Sequence, residues 1–382
     1  MVVALRIEDY ALIGDTHTAA LVGGSGSIDW LCLPRFDSSA CFAALLGTSE
    51  NGFWEMAAAG EIRRTTRRYR GPTLVLETEF ETADGIARVI DCMPPRMSHP
   101  RVVRVVEGVR GAMTMRTRFN PRFDYGRTRP WVRKVDGAIA VAAGPEALEL
   151  RSDVPLQDHD FQETAEFTVA AGQRVGFVLT SHCSWEPPPP AVDPAAALQQ
   201  TEAWWQEWSG RSTYRGGWAE EVERSLIILK ALTYEPTGGI VAAPTTSLPE
   251  FLGGVRNWDY RYCWLRDSAL LLDALMVAGY VAEAASWRDW LLRAVAGDPE
   301  DLQIMYGLGG ERRLDEYVLD WLPGYENSRP VRVGNAASGQ RQLDVYGEVI
   351  DAMFRARKLG MPPASHAWGI ERQIIEWLES NW

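Results

Sequence analysis

The hydrophobic pattern of this chain changes its period about half-way along, and that change limits the folds open to it. In the first half, apolar and polar residues alternate in short runs, as in strands with one buried face. Such runs lie at 74–80, 86–92, 102–109 and 173–181. Asp84 and Gly85 supply a hairpin turn between the first two runs. Short strands separated by Gly, Asn and Pro predict an antiparallel sandwich of two sheets.

The second half carries helical spacing instead, after a proline-rich break at 187–190 that predicts a linker. The predicted helices cover 195–208, 218–234, 266–278, 282–296, 343–359 and 367–378. Two connections between them, 236–259 and 297–342, greatly exceed the usual loop length of about 4–6 residues. Long loops on a helical scaffold usually carry function, so we expect functional residues in both.

Charge and targeting signals exclude several classes of partner. The formal net charge of -12 disfavours nucleic acid and anionic membrane surfaces. The N-terminus lacks a basic segment followed by an apolar one, and no apolar run approaches 18 residues. The five cysteines are odd in number and widely spaced, which predicts neither structural disulfides nor a zinc site. We therefore expect a cytoplasmic protein with no membrane partner.

Common catalytic signatures are missing from the sequence. The five histidines form no H-E-x-x-H pair, and no G-x-S-x-G motif occurs. The glycine-rich run at 23–26 lacks the Lys-Ser/Thr ending of a phosphate-binding loop, so a hairpin turn is its better interpretation. We expect no cofactor and no metal.

The most informative stretch is 256–268, which mixes four aromatic residues with Arg and Asp side chains. A planar guanidinium beside a carboxylate can bind adjacent sugar hydroxyls, while neighbouring rings supply a stacking surface. Asp267 and Ser268 also stand where a helix is predicted to begin. There they would cap the helix, with Arg266 and Asp267 as a structural pair. The residues alone leave both interpretations open.

Five of these residues, Tyr260, Trp264, Arg266, Asp267 and Ser268, match a known pattern. The run resembles the Tyr-x-x-x-Trp-x-Arg-Asp-Ser motif of glycoside hydrolase family 15, the glucoamylases and bacterial trehalases. The resemblance implies that Arg266 and Asp267 hydrogen-bond the terminal glucose, that Tyr260 faces the reacting ring and that Trp264 lines the pocket. We expect Trp258 beside them as a further substrate-binding residue.

Two further blocks, at 7–37 and 328–348, are similar to the same family, so the resemblance covers nearly the whole chain. It implies a trehalase-like N-terminal β-sandwich domain at 1–186 and a linker with a helix at 187–216. The rest, 217–382, would be the N-terminal part of an (α/α)6 barrel. The expected fold class is therefore a multidomain β-sandwich followed by a partial (α/α)6 barrel.

The resemblance also implies an inverting, exo-acting α-glucoside hydrolase that releases glucose. Such an enzyme needs a general acid and a general base about 6.5–9.5 Å apart. In the family these glutamates follow the helix that ends here near Trp382. We therefore expect both beyond Trp382, and no activity from this chain alone.

Carboxylates within the chain lie outside the family's acid and base motifs. They are Asp315, Glu316, Glu326, Asp344 and Glu348. The last two stand four residues apart on a predicted helix, where they are expected to form one polar face.

The expected substrate is an α-glucoside or α-glucan, with trehalose, maltose and longer glucans undecided. Two alternatives stay open. One is a catalytically inert carbohydrate-binding or regulatory protein that keeps the glucose subsite, and the other is a structural half that needs a separately encoded partner. Apolar helix stripes without neighbours would also favour self-association through the incomplete barrel.

Overall fold

A computed structural model describes residues 4–159, 162–358, 360–362 and 367–382. The chain forms two compact units. The first extends as far as Trp208 and includes the later segment Trp321–Asn327. The second contains Ser209–Asp320 and Ser328–Trp382. The domain boundaries expected at 186 and 217 stay a prediction.

The first unit is built from antiparallel strands. They are β1 Tyr10–Gly14, β2 Ala19–Gly23, β3 Ser27–Cys32, β4 Ala40–Phe42, β5 Phe53–Ala58, β6 Arg64–Tyr69, β7 Leu76–Glu81, β8 Gly85–Cys92, β9 Arg101–Asn120, β10 Trp131–Val135, β11 Ala138–Ala143, β12 Glu146–Ser152, β13 Gln157–His159, β14 Gln162–Ala170 and β15 Arg174–Cys183. The four predicted strand runs are thus confirmed, as is the turn at 23–26 between β2 and β3.

The long strand β9 belongs to two sheets at once. Its first half pairs with β8 and β15 in a sheet of order β6-β7-β8-β9-β15-β12-β11-β10, hereafter sheet B. Its second half pairs with β5 and β14 in a sheet of order β1-β2-β3-β5-β9-β14-β13, hereafter sheet A. The prediction that this strand ends at 109 was wrong, since β9 continues to Asn120.

Two glycines stand where β9 passes from one sheet to the other. A side chain at Gly108 would come within 2.1 Å of the Ala170 carbonyl oxygen, and one at Gly111 within 2.2 Å of the Asp84 carbonyl oxygen. Gly111 also has a φ of +68°, which glycine adopts without steric cost. These glycines therefore permit close backbone packing inside a continuous strand rather than ending it.

The core of the first unit lies between the two sheets. Phe119 of β9 is fully buried at its centre, with its ring 5.8 Å from that of Trp54 and 6.1 Å from that of Phe42, both edge to face. Edge-to-face rings at this spacing add stabilisation beyond the burial of their area.

Helix α1, Pro194–Ser209, covers the outer face of sheet B. Asp193 caps it by accepting a hydrogen bond from the Ala195 amide at 3.1 Å, and Pro194 occupies the first helical position. Ala197 and Leu198 pack against a second apolar cluster on sheet B that includes Val103. The predicted helix at 195–208 is confirmed, and it packs with the β-sandwich.

A buried ion pair links the two halves of the sandwich. Arg104 of β9 and Asp91 of β8 are both fully buried, with Nε 2.8 Å from the Asp91 carboxylate. The guanidinium also donates to the carbonyls of Trp54 and Gly26, each at 2.7 Å, and lies over the Trp54 ring. Because every guanidinium nitrogen has a partner, this charge is tolerated in the core.

The segment Trp321–Asn327 packs within the first unit although it is distant from β1–β15 in sequence. Its Trp321 indole donates to the Tyr125 carbonyl at 3.1 Å and lies under the guanidinium of Arg127. The Tyr325 hydroxyl donates to the Leu5 carbonyl at 2.9 Å. The segment is therefore held by directional bonds at both ends.

The second unit is mainly helical. Its helices are α2 Ala219–Ala231, α3 Leu265–Val277, α4 Val281–Ala294, α5 Asp344–Lys358 and α6 Ala367–Asn381. These confirm the five remaining predicted helices within a few residues, except that the last predicted residue of α5, position 359, lies outside the described residues. No helix in the described part of the chain is long and apolar enough to cross a membrane.

Short ladders and turns of helix fill the connections. Two-stranded ladders pair Thr233–Tyr234 with Gly239–Ile240, Thr246–Pro249 with Asn257–Asp259, Cys263–Trp264 with Met305–Tyr306, and Tyr317–Val318 with Arg332–Val333. Turns of 3-10 helix lie at Ile7–Asp9, Ala44–Leu46, Ser49–Asn51, Pro299–Asp301, Tyr325–Asn327 and Ala336–Gly339, and a short helical turn at Phe123–Gly126. The predicted order of an antiparallel β-sandwich followed by helices is confirmed.

The Arg104–Asp91 pair yields a stability prediction. We expect Arg104→Ala to lower the free energy of unfolding by about 3–5 kcal/mol, because it leaves the buried Asp91 carboxylate without its cation. Urea unfolding measures this. Arg110→Ala, on the same strand but in an exposed pair with Glu81, should cost only about 0–1 kcal/mol. Similar losses in both variants would contradict the assignment.

Candidate functional site

The stretch 256–268 runs from one short ladder to the beginning of a helix. Asn257–Asp259 pairs with Thr246–Pro249, Cys263–Trp264 pairs with Met305–Tyr306, and α3 begins at Leu265. Its residues therefore contact both long connections of the second unit.

Asp259 and Arg261 form the buried half of this stretch, both with fully buried side chains. Asp259 Oδ1 accepts from Arg261 Nε at 2.9 Å, and Oδ2 accepts from Arg261 Nη2 at 2.7 Å. The Gly334 amide also donates to Oδ2 at 3.2 Å, and the Asn335 side-chain amide donates to the Asp259 carbonyl at 3.0 Å. This pair thus joins the motif to the second long connection.

Arg332 strengthens the same junction. Its carbonyl accepts from the Thr246 hydroxyl at 2.6 Å, and its side chain forms an ion pair with Glu316 at 3.1 Å. Its guanidinium lies 4.4 Å from the centroid of the Trp258 ring. Trp258, predicted to bind substrate, is therefore half-buried against Arg332.

Arg266 has different partners from those expected. It forms an ion pair with Asp344 at the beginning of α5, and its Nη1 donates to the Gln342 side chain at 3.2 Å. The structure therefore does not show Arg266 and Asp267 as a structural pair. Asp344 was expected to share a polar face with Glu348, and in the structure it also forms the ion pair with Arg266. About 42% of the Arg266 side chain stays exposed.

The helix-capping interpretation is also wrong. The cap position of α3 is Trp264, whose side chain makes no capping hydrogen bond, and Asp267 lies in the first turn. An acidic residue there still interacts favourably with the helix dipole. The Ser268 hydroxyl is buried and has no hydrogen-bond partner among the described residues.

Tyr260 and Asp267 keep accessible side chains, whereas Trp264 beside them is buried, with 8% of its surface exposed. The Tyr260 and Trp264 rings lie 5.3 Å apart at 44°. The Asp267 side chain is exposed to solvent. The protein atoms around its carboxyl nevertheless bury it in part and raise its pKa, and Arg266 opposes that shift. Burial is the main cause of the raised pKa of Tyr260. The charges of Glu250 and Asp267 also raise it, and Arg256 opposes the rise. Tyr260 and Asp267 are therefore close enough for their charges to interact.

The other carboxylates considered from sequence have structural surroundings. Asp315 pairs with Arg313 at 2.5 Å, and Glu316 pairs with Arg332 and accepts from the Ala336 amide. Glu326 lies in the segment that packs with the first unit. Glu348 lies on α5 and is half-buried.

No group of three His, Cys, Asp or Glu side chains is arranged to hold a metal ion in the part of the chain described here. The donors and acceptors at Arg266 and Asp267 are suited to hydroxyl groups.

Two family models match the chain along most of its length. Residues 2–205 match the model of the trehalase-like N-terminal domain, and residues 219–382 match the model of glycosyl hydrolases family 15. The chain belongs to glycosyl hydrolases family 15. The resemblance in the motif and in the N-terminal block is confirmed.

Relatives of this family 15 chain include trehalases from archaea and bacteria. The trehalase of Thermoplasma volcanium is 33% identical over 393 residues, covering 99% of this chain and 61% of that protein. The trehalase of Mycobacterium tuberculosis is 32% identical over 410 residues, covering 98% of this chain and 60% of that protein. The chain thus spans about three fifths of the length of these relatives.

A solved bacterial glucoamylase in complex with acarbose shares the fold. The TM-score is 0.59 at 10% sequence identity, and the match covers 98% of this chain and 67% of that one. This likeness confirms the predicted fold class, with an N-terminal antiparallel β-domain before a helical domain of the (α/α)6 type.

The two aspartates of the motif should behave differently. Asp259→Asn should lower the free energy of unfolding by about 3–5 kcal/mol because it removes the negative charge that pairs with the buried Arg261 guanidinium. Asp267→Asn should change it by less than about 0.5 kcal/mol, since Asp267 is exposed. Thermal and urea unfolding of both variants provide the measurement. A large loss in Asp267→Asn would show that Asp267 is structural.

Proposed function

We propose that this chain carries the glucose-binding part of a glycoside hydrolase that acts on an α-glucoside and releases glucose. Membership of glycosyl hydrolases family 15 supports the reaction class. The relatives named trehalase support trehalose as the first substrate to test. The proposed mode of attack is exo-acting and inverting, with water adding opposite the departing group.

The observation that carries this proposal is the division of the motif into two halves. Asp259 and Arg261 are fully buried and bonded to each other. Arg266 and Asp267, by contrast, keep accessible side chains, and Asp267 interacts electrostatically with Tyr260, whose ring packs against that of Trp264. An accessible cation and carboxylate beside aromatic rings are what a sugar with adjacent hydroxyls requires.

The contacts of Arg266 leave it able to bind a ligand. Both its hydrogen bonds, to Gln342 and Asp344, use Nη1. Nε and Nη2 have no partner among the described residues, so these two nitrogens can donate to hydroxyl oxygens. Asp344 fixes the direction of the guanidinium, and Asp267 supplies the acceptor.

We assign Asp267 to binding and not to proton transfer. Burial raises the pKa of its carboxyl and Arg266 opposes that rise, and the ionised form is the one that accepts hydroxyl hydrogen bonds. A general acid and base must flank the scissile bond on opposite sides. Their placement beyond Trp382 stays a prediction, as do the inactivity of this chain alone, self-association and location in the cytoplasm.

Calorimetric titration with glucose tests the binding assignment. Asp267→Asn should weaken binding about 10- to 100-fold, since a hydrogen bond to a charged group contributes roughly 1.5–3 kcal/mol. Arg266→Lys should also weaken it, about tenfold, because lysine lacks the planar fork. Asp273→Asn is the matched control, because it lies on the same helix and pairs with Arg355 of α5.

Each outcome of this titration has a clear meaning. Equal affinities in wild type and Asp267→Asn, both shown to be folded, would remove the site assignment. Equal weakening in Asp273→Asn would show a general effect of α3 rather than a site.

Glucose binding should also depend on pH through Asp267. The ionised carboxylate is the stronger acceptor, so affinity should fall as the pH falls through its pKa. Because partial burial raises that pKa, the fall should begin at a higher pH than for a fully exposed aspartate. Titrations across acidic pH measure it. Asp267→Asn should lack this transition, and its persistence there would assign it to another group.

A further inference from the structure

The β-sandwich of the first unit contains a pocket of about 190 Å³ that the proposed function does not use. It lies between the end of β9 and β14 in sheet A and strands β10 and β11 in sheet B. Phe119 and Val141, both buried in the core, form apolar parts of its wall. Its volume suits one sugar-sized ring.

Arg122 in the wall of this pocket is a buried cation without a carboxylate partner among the described residues. Only 4% of the residue is exposed, and its Nη1 donates to the Pro121 carbonyl at 2.9 Å. Burial lowers the pKa of Arg122, repulsion from Arg129 lowers it further, and Glu50 opposes both. An unpaired buried charge is costly, so a ligand that accepts from it would be stabilising.

Glu163, in the same wall, is a buried acceptor with an oxygen that receives no hydrogen bond among the described residues. It is 95% buried, and the oxygen concerned is Oε2. The Lys134 ammonium forms a long ion pair with Oε2 at 3.7 Å and donates a hydrogen bond of 2.9 Å to the Leu156 carbonyl. Burial raises the pKa of Glu163, Asp158 adds to the rise and Lys134 opposes it. Among the described residues, the pocket therefore contains a carboxylate oxygen without a close hydrogen-bond donor and a guanidinium without a carboxylate partner.

Trp131 supplies an exposed aromatic surface at this pocket. It begins the edge strand β10 and is 66% exposed, so its ring is accessible to a ligand. The Arg133 guanidinium lies 4.4 Å from the centroid of its ring, and Trp131 also lines the pocket.

The mixture of charges selects the kind of ligand. A simple anion would be repelled by Asp158 and Glu163, and a simple cation by Arg122 and Arg129. Hydroxyl groups both donate and accept, so a neutral polyol can satisfy Arg122 and Glu163 together. The apolar face of a sugar ring also matches the Trp131 ring.

We propose that this pocket is a second carbohydrate-binding site, which takes a neutral sugar ring between Trp131, Arg122 and Glu163. It is separate from the glucose subsite proposed above and does not depend on it. A sugar-binding β-domain would retain an oligosaccharide or glucan on the protein independently of the motif at 256–268.

Calorimetric titration with maltose tests this site in the full chain. All variants carry Asp267→Asn, which weakens the proposed glucose subsite and keeps the two proposals distinguishable. In that background Trp131→Ala should weaken maltose binding about five- to tenfold through loss of ring stacking. Trp185→Ala is the matched control, because Trp185 is 71% exposed in the same unit and does not line the pocket.

Glu163→Gln provides a second test with nearly unchanged side-chain size. It should weaken maltose binding by a similar factor, with folding checked by circular dichroism and thermal melting. An Asp267→Asn protein that does not bind maltose would overturn the proposal. Equal effects of Trp131→Ala and Trp185→Ala would also overturn it, as would competition of inorganic phosphate with maltose, which would indicate an anion site.

Discussion

The buried ion pair between Asp259 and Arg261 is the interaction on which the candidate site depends. Two charges removed from water destabilise a fold unless nearly all of their hydrogen-bonding capacity is used. Here both carboxylate oxygens and the carbonyl of Asp259 are used, and two of the donors come from Gly334 and Asn335. The two long connections are thereby fixed to each other, and Arg266 and Asp267 follow within six residues of Arg261 in the first turn of α3.

The sequence predicted the elements of the fold better than their extent. Alternating and helical periods identified strands and helices because each element has one face in a core. Strand β9 was predicted too short, since residues 109–112 are exposed and include a glycine. Gly108 and Gly111 allow close contact with the Ala170 and Asp84 carbonyls within the continuous strand. That contact depends on strand pairing, which no local pattern shows.

The motif itself was recognisable, but its division into structural and accessible halves was not. Asp259 and Asp267 stand in similar surroundings in the sequence, and only the fold shows that one is fully buried and the other exposed. The partners that decide this lie about 75 residues away, at Gly334 and Asn335 for Asp259 and at Asp344 for Arg266. The resemblance of 328–348 to the family and the length of the connection 297–342 were the sequence signals that pointed to these positions.

The segment Trp321–Asn327 packs with the β-sandwich unit, although the residues before and after it in the sequence belong to the helical unit. The chain therefore crosses between its two units three times rather than once. A gene fragment cut at the linker would encode a β-domain without the Trp321 indole that bonds Tyr125 and without the Tyr325 hydroxyl that bonds Leu5. The two units therefore do not correspond to two contiguous stretches of sequence, and a transfer of the β-sandwich unit to another protein would have to supply the segment Trp321–Asn327 separately.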